Sequence, residues 1–112
     1  MTSHGISRDR LTALFLELVR IDSHSRQERA IADRLARELR ELGAEVWFDD
    51  AGTKVGGTTG NVLARVRGTV DTAPLVLSAH MDTVIPGEGV QPIVEGDVIR
   101  SDGRTVLGGD DK

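Results

Sequence analysis

Leu75-Val76-Leu77-Ser78-Ala79 is apolar or small on both faces. A strand with one face in water alternates polar and apolar residues, whereas a strand covered on both sides has no need to. This stretch therefore reads as the most buried strand of a sheet lying between two other layers, and that reading sets the fold class. Upstream, Ala44, Val46 and Phe48 alternate with Glu45, Trp47 and Asp49, and Asn61 to Arg67 alternates again, so two half-buried strands are expected at 44–49 and 61–67. Downstream, 92–95 and 98–101 flank Gly96-Asp97, a two-residue hairpin signal. Asp50 to Gly60 reads as a loop. Its Gly56-Gly57-Thr58-Thr59-Gly60 lacks the Gly-Lys-Ser/Thr ending of a phosphate cradle and leads into a strand, not a helix.

Two helices precede the strands. Leu11, Leu14, Phe15 and Leu18 form one apolar stripe over 8–19, with Ser7 placed to cap it and Asp9 in its first turn. Over 26–42 the stripe is Ile31, Leu35, Leu39 and Leu42, with Gly43 where a left-handed terminus is wanted. Ser25-Arg26-Gln27-Glu28 has the form of a capping box, in which hydroxyl and carboxylate each bond the other residue's amide. The opposite face carries Asp33, Arg34, Arg37, Glu38 and Glu41 at i,i+4 spacings and reads as an ordinary solvated surface. Together these elements predict a layered α/β fold, a mixed β-sheet flanked by helices, as one unit over 1–112.

Composition narrows the function classes. The chain has 112 residues, 38% of them hydrophobic, 13 glycines, no cysteine and a net charge of −4. These values exclude disordered, collagen-like and disulfide-stapled classes. An acidic balance argues against a nucleic-acid partner. The longest aliphatic or aromatic run, Ala13 to Leu16, is far short of the ~20 residues that cross a bilayer, so no membrane partner is expected. No signal segment opens the sequence, and with zero cysteine this fits a cytoplasmic protein.

The residues with chemistry lie at the end of the apolar stretch, in Ser78-Ala79-His80-Met81-Asp82-Thr83. On an extended chain His80 and Asp82 share a face, and strand ends of this kind are where ligands gather in open α/β sheets. An imidazole is the commonest zinc ligand, and a neighbouring carboxylate can fix its tautomer by accepting from the other ring nitrogen. A histidine bonded to a nearby acid for structural reasons fits the bare pattern as well. In Gly108-Gly109-Asp110-Asp111-Lys112, two acids beside two glycines suit a tight turn near a metal, and equally a solvated acidic turn.

Taken together, Ser78-Ala79-His80-Met81-Asp82-Thr83-Val84 and Leu107-Gly108-Gly109-Asp110-Asp111-Lys112 closely resemble the two N-terminal signatures of a di-zinc hydrolase family. Its members include peptidase T, glutamate carboxypeptidases, aminoacylases and succinyl-diaminopimelate desuccinylase. Val19-Arg20-Ile21-Asp22-Ser23 with Gln27-Glu28 is similar to the family's opening helix and substrate-side turn. Asp102 to Leu107 looks most like the peptidase T-like branch. Gly109 stands where alanine is common, and His24 is foreign to the pattern.

The resemblance implies a zinc-exopeptidase-like catalytic domain, of which this chain is the N-terminal portion. It implies that His80 ligates one zinc, that Asp82 orients the imidazole as part of the catalytic apparatus, and that Asp110 bridges two zinc ions. Cobalt or manganese are the expected substitutes. Asp111 follows the bridge and is not a ligand, and the 110–111 peptide is expected to be cis. The implied activity is metal-dependent hydrolysis of small peptides. Alternatives are an amidase or deacylase of N-acyl amino acids in the same family, or a non-catalytic assembly module. The family's Glu-Glu general base and later ligands have no counterpart here, so the chain alone is expected to be inactive and to self-associate through surface that later elements would cover. His4 and His24 are set aside as histidines unrelated to the site.

Overall fold

The computed structural model describes residues 5–110 and 112. Its first helix, α1 (Arg8–Val19), has the predicted bounds. Ser7 is extended and its hydroxyl accepts from the Arg10 amide at 3.3 Å, which satisfies one of the helix's unpaired first-turn donors. Helix α2 (Arg29–Glu41) starts three residues later than the sequence implies. The capping box does not form. Arg26 takes a left-handed conformation (φ 71°), and the Gln27 amide closes a turn onto the His24 carbonyl at 2.8 Å. Glu28 spends its carboxylate on the Arg26 amide at 2.8 Å, and the Ser25 hydroxyl goes to Asp82. At the other end Gly43 (φ 86°) supplies the left-handed exit, and the Ala44 amide bonds back to Leu39 at 3.0 Å.

Strands β1 (Glu45–Phe48) and β2 (Val62–Arg65) pair antiparallel, with Val46 opposite Ala64 and Trp47 opposite Leu63. Helix α2 packs across both strands. Its buried residues are Ile31, Ala32 and Ala36; Leu35 and Leu39 are half-buried and Leu42 is exposed. The centre of the buried face is thus rotated toward the alanines, whose small side chains let helix and sheet approach. The charged face is not wholly solvated either. Arg34 meets both carboxylate oxygens of Glu17 on α1 at 2.6 and 2.9 Å and Glu38 at 2.9 Å, which holds the guanidinium's pKa above its ordinary value. Ion pairs thus join the two helices.

The loop after β1 contains a short helix, α3 (Ala51–Val55), which the sequence reading missed. Asp49 organises it: one carboxylate oxygen accepts from the Ala51 and Asn61 amides at 3.1 and 2.8 Å, and the other from the Asn61 side chain at 2.8 Å. The hairpin is present as β3 (Ile93–Glu95) and β4 (Val98–Arg100), turned by a left-handed Gly96 (φ 59°). The molecule is therefore mixed α/β, built from two small antiparallel sheets and helices. No helix among the described residues is long and apolar enough to cross a membrane.

The stretch that reads as the most buried strand is not one. Leu75 to Ala79 joins no ladder, and Leu75, Val76 and Leu77 are 86, 80 and 86% exposed. The expectation of a third strand in the same sheet is corrected accordingly. A residue run apolar on both faces needs a hydrogen-bonded neighbour and two covering layers. Here an open groove separates it from β2, with Val62, Leu63 and Ala64 on one wall and Val76, Leu77 and Ser78 on the other.

Two outcomes are expected in solution. Ile31→Ala, at a 3% exposed position under the sheet, should cost about 2–5 kcal/mol by urea denaturation. Leu75→Ala, at a position already in water, should stay within about 0.5 kcal/mol of the parent. The Asn61 side chain, then the Ala51 and Asn61 amides, hold the Asp49 carboxyl below its ordinary 3.8. A depressed folded pKa gives stability that is present above the unfolded value and lost as pH falls through the folded one. The stability advantage of the parent over Asp49→Asn should accordingly shrink as pH falls below the ordinary 3.8, as paired denaturation curves will show.

Candidate metal site

The site begins with a docking between distant segments. The chain leaving α1 runs through Asp22-Ser23-His24 and meets the segment that follows the apolar stretch. The Thr83 amide donates to the Ser23 carbonyl at 2.8 Å, and His24 and Thr83 form a parallel bridge. The Gly89 amide donates to the Asp22 carboxylate at 2.8 Å. Ser23, 2% exposed, is the buried member of this seam; His24 and Thr83 are half-buried. His24 belongs to it, against expectation: its Nδ1 lies 3.2 Å from Glu88 Oε1, and its Nε2 is buried without a hydrogen-bond partner. His4 lies outside the described residues.

The seam places His80 and Asp82. His80 Nδ1 lies 3.0 Å from the Asp82 carbonyl and 3.1 Å from Asp82 Oδ1. A carbonyl oxygen can only accept, so in this arrangement Nδ1 is the donor. The other Asp82 oxygen, Oδ2, accepts from the Ser25 hydroxyl. That bond, and then the imidazole, hold the Asp82 carboxyl below its ordinary range against a partial desolvation that raises it. Ser25 is the residue that sequence reasoning assigned elsewhere. Its Ser-x-x-Glu spacing is a local signal, and nothing local reports a partner 57 positions away.

The second motif arrives at the same end of the molecule. The Val106 amide donates to the Pro86 carbonyl at 2.8 Å, and Lys112 Nζ to the Met81 carbonyl at 2.7 Å. Gly108 is left-handed (φ 88°), and a Cβ there would stand 2.9 Å from Thr83 Cγ2. At Gly109 a Cβ would meet Val19 Cγ1 at 2.5 Å and Phe15 Cε2 at 2.9 Å. A side chain at either glycine would require these neighbours to shift. The exposed Asp110 turns one carboxylate oxygen onto the Gly108 amide at 3.1 Å. His80, Gly108, Gly109 and Lys112 line one cavity of about 240 Å³, whose floor is Phe15, Leu18 and Val19. The 110–111 peptide lies outside the described residues.

The donor chemistry fits one position of a zinc site. A ring whose Nδ1–H is given to a carboxylate presents Nε2 as the metal-binding nitrogen. Among the described residues no three His, Cys, Asp or Glu side chains gather into a metal-holding group.

No family model matches the chain. It is 42% identical over 107 residues to the uncharacterized protein YqjE of Bacillus subtilis (strain 168), a match spanning 96% of this chain and 29% of that protein. The aminopeptidase PepT from Bacillus cereus ATCC 10987 superposes with a TM-score of 0.87 at 38% identity. A tripeptidase from Staphylococcus aureus subsp. aureus Mu50 does so with a TM-score of 0.88 at 40% identity. In both, 95% of this chain is covered and 29% of the other. The chain thus spans less than a third of the proteins it matches. By sequence and by fold together, this chain is similar to peptidase T-like proteins over less than a third of their length.

Proposed function

We propose that the protein carrying this chain is a metal-dependent exopeptidase acting on small peptides, with His80 and Asp110 among its zinc ligands and Asp82 orienting His80. What supports this reading is one arrangement: an imidazole whose Nδ1–H is held by a carboxylate, beside a cavity shared with the glycine turn that carries Asp110. Its occurrence in a chain 38–40% identical to an aminopeptidase and a tripeptidase points to peptide substrates.

Each residue has a definable task. Asp82 fixes the ring orientation and keeps the proton on Nδ1, so that Nε2 is the ligating atom. The carboxylate of Asp110 is presented by a turn whose backbone approaches Thr83, Val19 and Phe15 too closely for side chains at 108 and 109. The chemistry that zinc supplies when bound is polarisation of the scissile carbonyl and acidification of a water. Cobalt and manganese are the proposed substitutes. A cytoplasmic location is proposed, and a chain without cysteine agrees with it.

Tripeptide hydrolysis by the protein, assayed with and without chelator, tests the reading. Activity should vanish with chelator and return with zinc, and Asp82→Ala should lower kcat/KM about 10- to 100-fold. The 112-residue chain alone should show no turnover, because among the described residues no three His, Cys, Asp or Glu side chains gather to hold a metal. Hydrolysis that survives both chelation and His80→Ala overturns the proposal.

A further inference from the structure

We infer that Ser25 is a positioning residue of the site, the outer member of a chain Ser25–Asp82–His80 that locks the Asp82 carboxylate from behind. The inference rests on the metal-site reading above and extends it to a residue outside both signatures.

Three observations carry it. First, the two oxygens of Asp82 have different partners: Oδ1 faces His80 Nδ1 at 3.1 Å, and Oδ2 takes the Ser25 hydroxyl. A carboxylate held at one oxygen can swing about its Cβ–Cγ bond, a broad and weakly restrained torsion, whereas one held at both cannot. Second, Ser25 has no local task. The helix it would cap starts at Arg29, and its own Ser-x-x-Glu partner, Glu28, bonds the Arg26 amide instead. Third, the turn that carries Ser25 is anchored by its backbone on three sides. The Gln27 amide closes it onto His24 at 2.8 Å, the Thr58 amide bonds the Arg26 carbonyl at 3.0 Å, and Thr83 ties its entry at Ser23. A hydroxyl mounted on so constrained a turn imposes its position on Asp82, and not the reverse.

The left-handed Arg26 fits the same account. With Arg26 helical, the capping box could form and the hydroxyl would be consumed within its own helix. With φ at 71°, the hydroxyl is turned away from α2 and toward the 80–82 segment. The local strain of a non-glycine residue in this region persists where surrounding structure enforces it, and here the three anchors do so.

The test is proton–nitrogen NMR of the His80 ring in the metal-free protein, supplemented by zinc titration. In the parent, His80 should show the Nδ1–H tautomer. In Ser25→Ala its ring nitrogen shifts should move toward the averaged values of an exchanging ring, while the backbone spectrum stays dispersed. Ser25→Thr, which keeps the hydroxyl, should restore the parent shifts. Zinc affinity should fall about tenfold in Ser25→Ala and recover in Ser25→Thr. Should Ser25→Ala unfold, Ser25→Cys, similar in size but a weak donor, takes its place. Parent-like His80 shifts in Ser25→Ala, or in Ser25→Cys where Ser25→Ala unfolds, overturn the inference. Ring shifts that respond to Ser25 in a protein that zinc leaves unchanged would instead sustain the inference and sink the metal reading, so the two failures are distinct.

Discussion

The amide of Thr83 reaches the carbonyl of Ser23 across sixty positions of sequence, and the arrangement of the site hangs from that bond. On one side of it stands the turn with Ser25 and the left-handed Arg26; on the other, the 80–82 segment. Ser23 is buried on its side of the seam, and a buried polar group left unpaired costs about 1–3 kcal/mol. This cost gives the docking a definite register. Shifted by one residue, the seam would present Thr83 or Met81, and not Asp82, to Ser25.

That register also accounts for what could and could not be read from the chain beforehand. Helix α1 was legible to the residue because its cap and its stripe are local. The i, i+2 relation of His80 and Asp82 was legible for the same reason, and the hairpin at Gly96 likewise. The start of α2 was not. Its sequence offers a capping box, and the competing partner, Asp82, is visible only once the chain has folded. Helix α3 is five residues long, too short for a periodic stripe, and depends on a carboxylate that precedes it and an asparagine that follows.

The stretch 75–79 teaches the opposite lesson. Its pattern states a requirement for cover on both faces, and the most buried strand expected from it is overturned. Whether the requirement is met is a property of neighbours, and in this structure the nearest strand, β2, stands across an open groove. The α/β class survives because it rests on the helices and on the β1–β2 pair that α2 covers, which together do not need the fifth apolar segment.

The glycine at 109 gives α1 a second role. Phe15 and Val19 look like ordinary members of an amphipathic stripe, yet their side chains fill the space a methyl group at 109 would occupy. Bulk at positions 15 and 19 and bulk at position 109 therefore draw on one shared volume. In a relative with alanine at the turn, the extra methyl must be matched by a smaller or displaced group on the helix. A pair of substitutions each harmful alone can thus be tolerated in concert, so that residues some ninety positions apart drift through sequence space as a unit.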